Sequence, residues 1–80
     1  MSDVVDARGL RCPVPVLRLR DRLAALPAGT VVELLADDPL VTLDVPAFCA
    51  QEGHDDLGAV KDPAGYWRLT VRRGATARGA

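Results

Sequence analysis

No segment of this sequence approaches the run of about 20 apolar residues that a membrane-spanning helix requires. The N-terminal "MSDVVDARGL" also lacks the basic-then-apolar pattern of a secretory leader. A cytoplasmic protein with no membrane association is the expectation. Cysteine is scarce. Cys12 and Cys49 form neither a CxxC pair nor a disulfide framework, so in a reducing compartment both are expected as thiols. A structural zinc needs four ligands, whereas two cysteines and the single His54 are all the chain has, so no metal is expected in a monomer. The glycines fall in no strand–GxxxxGK[ST]–helix context, which removes the usual phosphate loop and leaves no bound cofactor to expect. Aromatics are limited to Phe48, Tyr66 and Trp67, so the core must be assembled from Leu, Val and Ala.

What is present suits one small globular domain. The chain has 80 residues, 49% of them hydrophobic, and a net charge of −1. A chain of this size buries about 60% of its unfolded surface and has material for a single core. We place that domain at residues 1–73 and expect 74–80, "GATARGA", to be a frayed tail with nothing to bury. Nothing in the pattern demands more than a monomer. The near-zero net charge hides a segregation. Arg8, Arg11, Arg18, Arg20 and Arg22 outweigh the acids of the first third, the middle holds eight acids against Lys61, and the end carries four arginines and no acid. Such a dipolar surface suits docking on charged protein partners, although charge runs also serve merely to solvate helices.

The hydropathy pattern reads βαβαββ. "VVDAR" (Val4–Arg8) alternates as a short strand does. Val16, Leu19, Leu23 and Leu26 then recur at helical spacing, with Leu17 and Ala24 widening the stripe, and Pro27-Ala28-Gly29 ends that helix. "TVVELLA" (Thr30–Ala36) reads as an inner strand covered on one face at least. A second helix is expected within Thr42–Gln51. Pro46 must then sit in its first turn, with Thr42 or Asp44 as N-cap, which argues against a helix running unbroken from Pro39. Leu57–Lys61 is a third strand. "DPAG" (Asp62–Gly65) fits a type I turn leading to "YWRLTVRR", where Trp67, Leu69 and Val71 face the core. This order predicts an α/β (α+β) two-layer sandwich, two helices on one face of a mixed four-stranded sheet.

Most of the chemistry lies in "RGLRCPVP". If the first helix starts at Pro13, Cys12 is its N-cap, and Pro13 and Pro15 fall in the first turn, where they forfeit no helical hydrogen bond. The thiol then sits on a stiff corner near the positive helix end and within reach of the Val14 N–H, with Arg11 and Arg8 adding positive potential. All of this favours thiolate, the form that attacks sulfur electrophiles. Cys49, beside Phe48, reads instead as core packing. His54 follows Gly53 in a helix-to-strand connection and has no evident reason to meet Cys12.

The residues "DARGLRCPVP", Arg20, "ADDPLVTLDVPAFC", Gly53-His54 and "WRLTVRRG" resemble the TusA/SirA family of small sulfur-carrier proteins over nearly the whole chain. The resemblance implies a sandwich of the order read above. It further implies that Cys12 is the catalytic residue, accepting a sulfane sulfur as a persulfide from a cysteine desulfurase or rhodanese-like donor. That sulfur is relayed to an acceptor protein serving tRNA thiolation, molybdenum-cofactor synthesis or sulfur metabolism. On this reading Pro13 and Pro15 shape the mount, and Arg11 and Arg20 support the charge on sulfur or the docking of partners. Val14, Asp37, Asp38 and Asp44 are the residues expected at the docking surface. Members serving tRNA 2-thiouridine synthesis often resemble one another in an acidic residue between the prolines, where Val14 stands here.

Two other functions compete. A thiol-based redox or regulatory binding module would form a sulfenate or mixed disulfide on Cys12. An RNA-binding domain would use the basic first helix and Trp67, but the absence of net positive charge and the inward-facing Trp67 argue against direct nucleic-acid contact.

Overall fold

A computed structural model describes residues 2–75. Six elements follow one another as β1 (Ser2–Asp6), α1 (Val14–Ala24), β2 (Val31–Ala36), α2 (Val41–Glu52), β3 (Asp55–Lys61) and β4 (Trp67–Arg72). The sheet order is β1-β2-β4-β3. β1 lies parallel to β2, and β4 runs antiparallel to both β2 and β3, so the expected mixed sheet and βαβαββ order are what the chain adopts.

Strict alternation along β2 decides which face is covered. Val32, Leu34 and Ala36 are buried beneath the helices, while Val31, Glu33 and Leu35 lie on the partly open face. Opposite them on β4, Leu69 and Val71 point into the same core, with Trp67 packed at its margin. From the helices come Leu19 and Leu23 of α1 and Val41, Val45, Phe48 and Cys49 of α2. Pro15 is buried as well, whereas Leu17 and Ala24 are exposed. The stripe facing the sheet is thus narrower than the pattern suggested, following the four-residue steps from Pro15 through Leu19 to Leu23.

Element boundaries depart from the sequence reading where tertiary hydrogen bonds extend or cut them. β1 is Ser2–Asp6, set by its register on Val31–Leu35, with Ala7 adding one more bond to the Leu35 carbonyl at 2.8 Å. α2 starts at Val41, so Pro46 lies inside it rather than in its first turn. Neither Thr42 nor Asp44 is its cap. Leu40 stands there without a side-chain cap, and the turn leading into it is held by Asp38, whose Oδ1 accepts the Leu40 N–H at 3.0 Å and whose carbonyl accepts the Val41 N–H at 3.2 Å. The carbonyl that Pro46 leaves without a helical donor belongs to Thr42, a partly exposed residue.

The Asp62–Gly65 turn closes as expected, with Gly65 N–H donating to the Asp62 carbonyl at 2.8 Å, and joins β3 to β4. β3 is exposed along its full length and carries a register irregularity between Asp56 and Ala59, features that blunt an open sheet edge. Gly74 and Ala75 of the expected tail are among the described residues. Gly74 is buried, and a side chain there would place its first carbon 1.8 Å from the Gly53 carbonyl oxygen. Residues 76–80 of the expected tail, like Met1, lie outside the described residues.

Candidate functional site

Cys12 sits on the β1–α1 connection, two residues before α1, and is partly exposed. Pro13, not Cys12, is the N-cap residue, and Pro15 is the second residue of the helix. Both prolines therefore still stiffen the entrance without costing a helical bond. The nearby N–H groups do not turn toward sulfur. Val14 N–H donates to the Arg11 carbonyl at 2.9 Å, and Leu17 N–H to the Pro13 carbonyl at 3.1 Å.

Sulfur has a different partner. Cys12 Sγ donates to Asp44 Oδ2 of α2 at 2.7 Å, and the Cys12 backbone N–H donates to Asp38 Oδ2 at 2.9 Å. Asp37 accepts the Gly9 N–H from the same connection. Three carboxylates from the β2–α2 region thus hold the loop that bears the cysteine. The geometry depends on local chemistry at both ends. Gly9 adopts φ 81°, in the left-handed region that glycine enters at no steric cost, and Asp38 is aimed by the hydrogen bond its other oxygen accepts from the Leu40 N–H.

These contacts reverse the electrostatic expectation. The hydrogen bond to Asp44 pushes the Cys12 thiol above its ordinary value, with burial and the charges of Asp44 and Asp38 acting in the same direction. A bond donated by the neutral form to a carboxylate favours the thiol, and nearby negative charge disfavours the thiolate. Asp38 itself is held below the usual carboxylate range by the N–H groups of Cys12 and Leu40, and Arg11 contributes to that lowering through its charge. Arg11 therefore acts on Asp38 rather than on sulfur. It is exposed beside a shallow groove of about 420 Å³ lined by Gly9, Leu10, Asp37, Asp38 and Pro39.

The remaining predicted site residues separate. Arg20 is exposed on α1 and bonded to its neighbour Asp21, so its guanidinium supports no charge on sulfur. Val14 is 38% exposed next to the thiol, and Leu40 and Leu43, flanking the start of α2 near Asp44, are 50% and 69% exposed. All three are exposed apolar residues within four positions of Cys12 or Asp44 in the chain. Asp37, Asp38 and Asp44, expected at a docking surface, each accept a hydrogen bond from the loop Gly9–Cys12, and Asp37 is exposed while Asp38 and Asp44 are partly so. The Cys12–Asp44 contact escaped sequence reasoning. Its only signal was an acid within "DDPLVTLD" one turn inside α2, and nothing local aims it at a loop more than thirty positions away.

Cys49 is buried, and removal from water lifts its thiol to about 11, as suits a packing residue. His54 does not approach Cys12. Its Nδ1 accepts the Gly74 N–H at 3.2 Å, and its ring lies 5.4 Å from that of Phe48.

The family model described as sulfurtransferase TusA matches residues 3–73. The sulfur carrier protein TusA of Pseudomonas entomophila is 39% identical over 80 residues, covering 94% of this chain and 99% of that protein. The crystal structure of a SirA-like protein from Desulfitobacterium hafniense superposes with a TM-score of 0.81 at 29% identity, covering 92% of this chain and 99% of that one. With the family model matching most of its length and a full-length relative sharing more than a third of its residues, the chain belongs to the TusA family.

Proposed function

We propose that this protein is a sulfur carrier, and that Cys12 is the atom-bearing residue. The observation that carries the reading is the placement of the two thiols. Cys12 stands partly exposed on a proline-stiffened loop, while Cys49 is sealed in the core. Family membership supports the sulfur-relay role, since the Pseudomonas entomophila relative is named a sulfur carrier.

In the proposed step, the Cys12 sulfur attacks the terminal sulfur of a persulfide on a donor protein, a cysteine desulfurase or a rhodanese-like enzyme. A new S–S bond forms on Cys12 as the donor's S–S bond breaks. The bonding pair leaves with the donor's cysteine sulfur, which takes up the proton lost by Cys12. Nothing is oxidised overall, and the carrier ends as Cys12–S–SH. Repetition of the exchange with an acceptor thiol unloads it. The fold needs to supply only access and a fixed approach direction, which the prolines and the backbone bond to Asp38 provide.

The exposed apolar side chains of Val14, Leu40 and Leu43, close in the chain to Cys12 and Asp44, are candidates for contact with donor and acceptor proteins. A redox-sensing module is the weaker reading, because membership of the sulfur-carrier family supports relay of sulfur and nothing comparable supports sensing. Incubation with a desulfurase and free cysteine, followed by intact-mass measurement, tests the proposal. The wild-type and Cys49→Ser chains are expected to gain one sulfur atom and Cys12→Ser none. Equal loading of Cys12→Ser would refute it.

A further inference from the structure

The groups facing the Cys12 sulfur come from two directions. Asp44 of α2 takes the thiol proton in a hydrogen bond, and Asp38 of the β2–α2 connection holds the backbone N–H of the same residue. Arg11, the chain neighbour, acts on Asp38. No ion pair involves Asp44 among the described residues, whereas Asp3, Asp6, Asp21, Glu33, Asp55 and Asp62 are all paired with arginine. Its observed partner is the sulfur.

We infer that Asp44 is a restraining residue: its carboxylate keeps Cys12 as a neutral thiol in the free protein and so suppresses reaction of that sulfur with small electrophiles. The inference rests on Cys12 being the working thiol of the proposed carrier, and it adds the control of its reactivity. Thiol attack on sulfur or carbon proceeds through the thiolate, so the fraction ionised limits the rate below the pKa. Removing the carboxylate charge raises that fraction. A thiolate of lower pKa is intrinsically less nucleophilic, but with a Brønsted coefficient of about 0.4–0.5 this offsets less than half of the gain. The net effect of neutralising Asp44 is a faster reaction. A carrier built this way reacts more slowly with free disulfides and oxidants while unengaged, and faster when the Asp44–sulfur contact is broken.

Alkylation by neutral iodoacetamide across a pH series, followed on the Cys12 peptide by mass spectrometry, separates this role from a structural one. The Asp44→Asn chain is expected to react at least about threefold faster near pH 7.5, with its pH midpoint moved down. Asp44→Glu, which keeps the charge, is expected to stay nearer the wild type. An Asn variant that reacts at the wild-type rate or more slowly overturns the inference. If circular dichroism shows that variant unfolded, the wild-type titration decides. Cys12 must ionise at higher pH in the folded chain than in urea, and an equal or lower midpoint overturns the proposal. Sulfur loading is read separately. A chain that loads on Cys12 but shows no effect of Asp44→Asn loses only the restraint, and one with the shifted titration but no loading loses only the carrier reading.

Discussion

The Asp38 carboxylate accepts the backbone N–H of Cys12 at 2.9 Å with one oxygen while the other accepts the Leu40 N–H at 3.0 Å just ahead of α2. One side chain thereby ties the loop that carries the thiol to the start of the helix that carries Asp44.

Asp38→Ala should loosen both. We expect a lower urea midpoint with an unchanged slope, because two backbone N–H groups lose their carboxylate partner while the fold survives. Amide exchange at Cys12 and Leu40 should accelerate together. Exchange that changes at Leu40 alone would show that the loop does not depend on the carboxylate.

A second lock holds the end of the described chain. Because a Cβ at residue 74 would lie 1.8 Å from the Gly53 carbonyl oxygen, Gly74→Ala must push β4's continuation away from the α2–β3 turn. Overpacking of this kind costs about 1–3 kcal/mol. Chemical denaturation of Gly74→Ala checks it, with a midpoint indistinguishable from wild type as the contrary result.

His54 makes stability depend on pH. Burial, together with the Arg73 charge, depresses its pKa below 6.5 despite opposition from Glu52 and Asp55, and its Nδ1 accepts the Gly74 N–H, which an imidazolium cannot do. Above 6.5 the ring is neutral in both folded and unfolded chains, and stability is full. As pH falls through 6.5 the unfolded chain takes up a proton that the folded chain refuses, so stability drops until the folded value is reached. His54→Gln should flatten the slope of unfolding free energy between about pH 7 and about pH 5. An undiminished slope in that variant would assign the effect elsewhere.

The architecture was legible in the sequence because its signals are local. The alternation of Trp67, Leu69 and Val71, the Asp62–Gly65 turn and the run Val31–Ala36 each specify their own conformation, and together they leave one economical layering. Cys12 stood out for the same reason, set between an arginine and two prolines. What could not be read is the pairing of distant segments. Asp38-Pro39 is a helix start by local rules, yet Pro46 drew attention to a later one, and only the packed structure shows that a part-exposed Thr42 carbonyl tolerates an internal proline. The charge environment of Cys12 was misjudged likewise. Arg11 is adjacent in the chain, but the carboxylate that sets the thiol's state arrives from α2.

The central claim is that sulfur rides on Cys12. Its most direct test is to load the wild-type protein with a desulfurase and cysteine, cap with iodoacetamide, digest, and read which peptide carries the extra atom. The account predicts the capped persulfide on the Cys12 peptide alone, with Cys49 appearing as an unmodified or simply alkylated thiol. Extra sulfur on the Cys49 peptide, or none on either, would contradict it.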